Sequence, residues 1–128
     1  MTMNRMTALW ARTALVWFLL TIFFGMYMGM KQDFMLAPVH AHLNLLGWAS
    51  LGLFGLAYRA YPDLGRSKAA RVHLALSGPS AVLFPAAVYM TVVHDQHQYV
   101  ILPAVMWLAG AVLFLALMLV GGRSPAAE

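Results

Sequence analysis

The sequence contains no cysteine and only four acidic residues in 128 positions. The first absence excludes disulfides, thiolate metal sites and covalent c-type haem attachment. The second bears on transport, because proton-coupled carriers generally place a carboxylate within the membrane. Here Asp33, Asp63, Asp95 and Glu128 all fall in predicted connections or the tail. Charge of either sign makes up 9% of the chain, far below the roughly 25% of ordinary soluble domains. A soluble fold is therefore not expected.

What fills the chain instead is apolar sequence, 62% of it by residue type. Four windows free of Asp, Glu, Lys and Arg run Thr13 to Met30, Phe34 to Tyr58, Val72 to His94 and Gln96 to Gly122. Each is long enough for a hydrocarbon core that needs about 20 helical residues. They predict an all-α membrane protein with four transmembrane helices, over about 6–30, 38–60, 70–93 and 98–120, forming a single domain over 1–128. Seven of the eight basic residues (Arg5, Arg12, Arg59, Arg66, Lys68, Arg71 and Arg123) fall on one side of these spans, and only Lys31 on the other. That asymmetry predicts cytoplasmic N and C termini. The net charge of +4 thus reflects topology, and no nucleic-acid partner is expected. The first partner is the lipid bilayer, with a bacterial inner membrane the expected location. No small-residue cleavage site follows the first apolar run, so it is expected to stay as a helix.

Along the chain, the Met-rich end of the first helix reads as a packing or lipid-facing stripe, a common use of methionine. Pro38 suits the first turn of the second helix. Gly47, Ser50, Gly52 and Gly55 then allow a neighbouring helix or a flat ligand to approach its backbone. Residues 61–65 predict a turn and 66–71 a basic hinge. Pro79 and Pro85 fall inside the third helix, where each deletes a backbone hydrogen bond and promotes a kink.

The candidate site is His40-Ala41-His42, two imidazoles one turn into an apolar stretch. An ionisable side chain at membrane depth costs a few kcal/mol unless a partner offsets it. At about 100° per residue the two rings lie about 200° apart, on opposite flanks of the helix, and are poorly placed to chelate one ion together. Two readings stand: each histidine hydrogen-bonds a neighbouring helix, or each ligates something on its own flank. His73 reads as a boundary residue at the start of the third helix. His94 and His97 read as an exposed polar loop at the depth of the pair, from which they could also reach a metal.

At these residues the chain resembles the main subunit of haem-copper oxidases, a family that includes nitric oxide reductases, and specifically its last four helices. The likeness spans about 6–120. It rests on His40-Ala41-His42, the small residues from Gly47 to Gly55, the Tyr61-Pro62 exit, Arg71-Val72-His73 and Phe84-Pro85. The resemblance implies one four-helix arc of a subunit built from three such arcs around a pseudo-threefold axis. It implies haem on both flanks of the pair, with His40 and His42 as iron ligands and Asn44 and Gly47 lining the site. A C3 homotrimer, with His42 of one chain facing His40 of the next across non-covalent haem b, follows from that implication. The sequence departs from the family's copper site, since Asn44 stands where a tyrosine follows the histidine by four residues, and copper is a lesser expectation.

Three functions are consistent with this reading. One is a b-type cytochrome in electron transfer, haem handling or gas sensing, whose redox partner the sequence does not identify. A second is a minimal oxygen or nitric oxide reductase, an oxidoreductase in which His94 or His97 adds a metal ligand; its catalytic residues are not identified by the sequence. A third is a cofactor-free transport or assembly partner.

Overall fold

The computed structural model describes residues 5–121, the Met6 side chain excepted. Its elements are α1 (Arg5–Lys31), α2 (Ala37–His42), a π-helical segment (Leu43–Ser50), α3 (Leu51–Ala60), α4 (Pro62–Arg66), α5 (Lys68–His94), a 3-10 turn (His97–Val100) and α6 (Ile101–Gly121). Among the described residues there is no strand. Three helical stretches, Thr7–Lys31, Lys68–His94 and His97–Gly121, are long and apolar enough to cross a membrane. The chain thus belongs to the class of all-helical integral membrane proteins. Arg123 and Glu128 lie outside the described residues.

The predicted second helix is helical across 37–60, yet its hydrogen-bonding pattern changes twice. None of its three segments reaches the length of a membrane span by itself. Pro38 sits in the first turn, as its residue type favours. The π segment begins where two side chains, one on each side of its first residue, bond to backbone carbonyls. His42 Nδ1 lies 2.7 Å from the Pro38 oxygen, and Asn44 Nδ2 donates to the His40 oxygen at 2.9 Å. Both oxygens are acceptors that the regular i→i−4 ladder uses. Side chains inserted into that ladder are a recognised cause of local widening.

Two connections differ from expectation. Residues 62–66 form α4, a short helix where a turn is predicted, opened by Pro62 in its first turn. The basic stretch that follows is no free hinge. Ser67 Oγ accepts from the Ala70 N–H at 3.0 Å, which caps α5 and starts it at Lys68. Helix α1 ends with Gln32 in the left-handed region (φ 52°), where the Gln32 and Asp33 N–H groups reach the Gly29 and Met28 carbonyls. That is the paired closure of a Schellman motif. Helix α5 runs through both Pro79 and Pro85 without a break in assignment.

The helices pack antiparallel in chain order. Gly25 meets His40, Gly47 meets Trp17 and Gly55 meets Trp10, so numbers fall on α1 as they rise along 37–60. Likewise Ser77 meets Gly110 and Ser80 Oγ donates to the Pro103 carbonyl at 2.7 Å, joining α5 to α6. Small residues at these crossings let backbones approach, as membrane helix pairs require. The core lies towards the end holding Trp10, Phe54, Tyr58 and Ala70, while Leu15, Phe23, Leu53 and Leu108 face outward among many exposed apolar side chains. Met28 is buried in packing and Met26 and Met30 are exposed, which divides the Met stripe between its two expected roles.

Candidate functional site

The two histidines of α2 leave opposite flanks. The His40 ring lies 5.8 Å from that of Phe24 on α1, and the His42 ring lies 5.1 Å from that of Phe84 on α5. No group of three or more His, Asp or Glu side chains able to hold a metal occurs among the described residues.

Hydrogen bonding settles how each ring carries its proton. A carbonyl oxygen only accepts, so His42 Nδ1 is the protonated nitrogen in the bond to Pro38. Its Nε2 is left with a lone pair. An Nδ1–H held by a backbone carbonyl is the usual support of a metal-ligating histidine.

His40 is arranged differently. Trp48 Nε1–H donates to Asn44 Oδ1 at 2.8 Å, which fixes Asn44 Nδ2 as a donor. That nitrogen lies 3.0 Å from His40 Nε2, so Nε2 accepts and its lone pair is occupied. The neutral ring then carries its proton on Nδ1, which is buried without a hydrogen-bond partner among the described residues. Its position depends on Gly25, because a Cβ there would stand 2.9 Å from His40 Cε1. The pair is therefore inequivalent: His42 presents a free lone pair, and His40 is tied to Asn44 within its own chain.

Asn44 connects His40 to Trp48. Gly47 is buried against Trp17, whose Cγ would lie 3.0 Å from a Cβ at that position, so its missing side chain serves helix packing.

His94 and His97 are not at the depth of the pair. His42 stands level with Phe84, and His94 lies about 15 Å further along α5 at 1.5 Å per residue. His97 Nε2 is instead 2.9 Å from Asp95 Oδ1, both side chains being largely exposed. His73, expected at a boundary, is fully buried. Its Nδ1 lies 2.8 Å from the Tyr58 hydroxyl, and rings of Trp10, Phe54 and Phe114 surround it at 4.5–5.2 Å. Each long helical stretch contributes a member to this cluster. The signal in the sequence was a polar aromatic residue near the same end of successive helices.

No protein-family model, curated protein or solved structure matches the chain.

Proposed function

We propose that this protein is a haem b-binding integral membrane protein in which His42 Nε2 is an axial iron ligand. The observation that carries the reading is the His42 ring itself. Its Nδ1–H is held by the Pro38 carbonyl, and its other nitrogen has no partner among the described residues. The residues fit haem unequally, since His40 becomes a ligand only by giving up Asn44. A bound haem b would supply a one-electron iron couple. The chain's own part is to orient one imidazole and to set the Phe84 ring beside it on an apolar helix.

In the full form of the proposal the stretch 37–60 crosses the bilayer as a fourth span, with both termini cytoplasmic. Three copies then assemble as in the haem-copper oxidase arc, His42 of one copy facing His40 of the next. The setting is a bacterial inner membrane, and the role is electron transfer, haem handling or gas sensing.

A second reading follows if Asn44 keeps His40 bound. His42 would then be the one histidine of the pair free to hold haem iron, which would leave room for the small ligand that an oxygen or nitric oxide reductase or a gas sensor needs. A copper partner at the outer histidines gains no support from their separation in depth.

The test is the absorption spectrum of the detergent-purified protein with a pyridine haemochrome assay and a mass measurement. A b-type spectrum in a trimer is expected, and a colourless monomer overturns the proposal. Carbon monoxide then separates the two readings, because binding to the reduced protein requires an open site.

A further inference from the structure

A long apolar groove runs along the outer face between α1 and the 48–59 stretch. It has a volume of about 360 Å³ and runs from Thr7 and Arg59 at one end to Phe18 and Trp48 at the other. Small residues make it: a Cβ on Gly52 would be 3.7 Å from that of Ala14, and one on Gly55 would be 3.1 Å from that of Trp10. The helices thus approach closely, and the larger side chains of Phe18, Trp48 and Leu56 stand up as walls.

The two ends of the groove differ. Arg59 is exposed at one end, and it has no acidic or hydrogen-bonding partner among the described residues. At the other end stands Trp48, whose indole N–H is already donated to Asn44, so that it offers the groove an apolar ring. From Thr7 to Phe18 the groove extends about 16 Å along α1. That is close to half of a hydrocarbon core of about 30 Å, the depth of one leaflet.

We propose that this groove is a binding site for an anionic phospholipid, one acyl chain lying along Ala11, Gly52 and Gly55 and the phosphate headgroup meeting Arg59. Depth and charge together select this occupant. An acyl chain hangs one leaflet deep from a charged head, matching an apolar trough with one cation at its mouth. A helix of a second copy would continue past mid-membrane and would leave Arg59 without a counter-charge. Net negative headgroups are favoured because Arg59 gains an ion pair with them that a zwitterionic lipid offsets internally. The groove meets the histidine pair only through the Trp48–Asn44 bond, and the proposal does not rest on haem binding.

The full-length protein in vesicles tests it through tryptophan quenching by phosphatidylglycerol or phosphatidylcholine brominated near the ends of the acyl chains. The Trp48 component is taken as the difference between wild type and Trp48→Phe. Brominated phosphatidylglycerol should quench that component at about a fivefold lower mole fraction than brominated phosphatidylcholine. Arg59→Gln, a surface change compatible with folding, should erase the difference while quenching at high mole fraction persists. Equal quenching by the two lipids, or a preference unchanged in Arg59→Gln, overturns the proposal. So does a Trp48 component that neither lipid reaches, with Gly52→Cys copies cross-linking to one another, since a second chain then fills the groove.

Discussion

His42 Nδ1 and the Pro38 carbonyl oxygen stand 2.7 Å apart, a side chain bonded to the backbone one turn earlier. This bond fixes the tautomer and orientation of the ring and leaves Nε2 open, whereas the bond that fixes His40 comes from Asn44 and occupies its Nε2. The first prediction follows from that inequality. If the protein binds haem as proposed, His42→Ala should lose the haem absorption, with affinity falling by well over the roughly 10–100-fold typical of removing a mere supporting contact. His40→Ala should keep a haem spectrum if His42 is a sole axial ligand, and should change its low-spin features if His40 is the opposite ligand. Absorption spectra of the two purified variants at matched protein concentration give the answer.

Asn44 binds two side chains at once, His40 through Nδ2 and Trp48 through Oδ1. Asn44→Ala leaves a lone pair and an indole N–H without partners, so a loss of about 1–2 kcal/mol is expected. It also frees His40 Nε2. Thermal denaturation in detergent measures the first effect. The second appears as lost carbon monoxide binding where a haem with an open site acquires His40. Unchanged stability would mean that the bonds are not made in the membrane.

Much of this organisation was legible in the sequence because membrane helices are written in long apolar runs bounded by rare charges. The opposed flanks of His40 and His42 were legible too, since helical periodicity alone sets them. The π segment was not: it depends on where the His42 and Asn44 side chains find carbonyls, a choice among rotamers that spacing does not encode. The burial of His73 was not legible for a related reason. A histidine next to Arg71 reads as a boundary residue, and only the antiparallel approach of α3 and α5 brings Tyr58 to it. The depth of His94 was likewise set by how α2 slides along α5.

Tyr58 and His73 form a buried polar pair inside a shell of aromatic rings. Tyr58→Phe removes one partner and should cost about 1 kcal/mol or more, because the imidazole nitrogen left behind is buried. His73→Phe removes the other. A double-mutant cycle measured by chemical or thermal denaturation should return a coupling of about 0.6 kcal/mol, the average for hydrogen bonds between membrane helices, and no more than about 1.7 kcal/mol. A coupling near zero would show that ring packing alone holds the cluster together.

The crossing of α5 and α6 rests on Gly110, where an added Cβ would collide with Ser77 Oγ. Ser77 is buried, and its hydroxyl has no hydrogen-bond partner among the described residues. Gly110→Ala should therefore destabilise the helix pair by about 1–3 kcal/mol, the cost of overpacking a filled interface. Ser77→Ala should be neutral or mildly stabilising, because it deletes an unsatisfied buried hydroxyl. The two changes are not independent: removing the serine oxygen opens the space that the new methyl group needs. In the double variant most of the loss from Gly110→Ala should be recovered. Thermal melts of the four proteins in one detergent decide the matter, and strict additivity would mean that the two helices meet elsewhere.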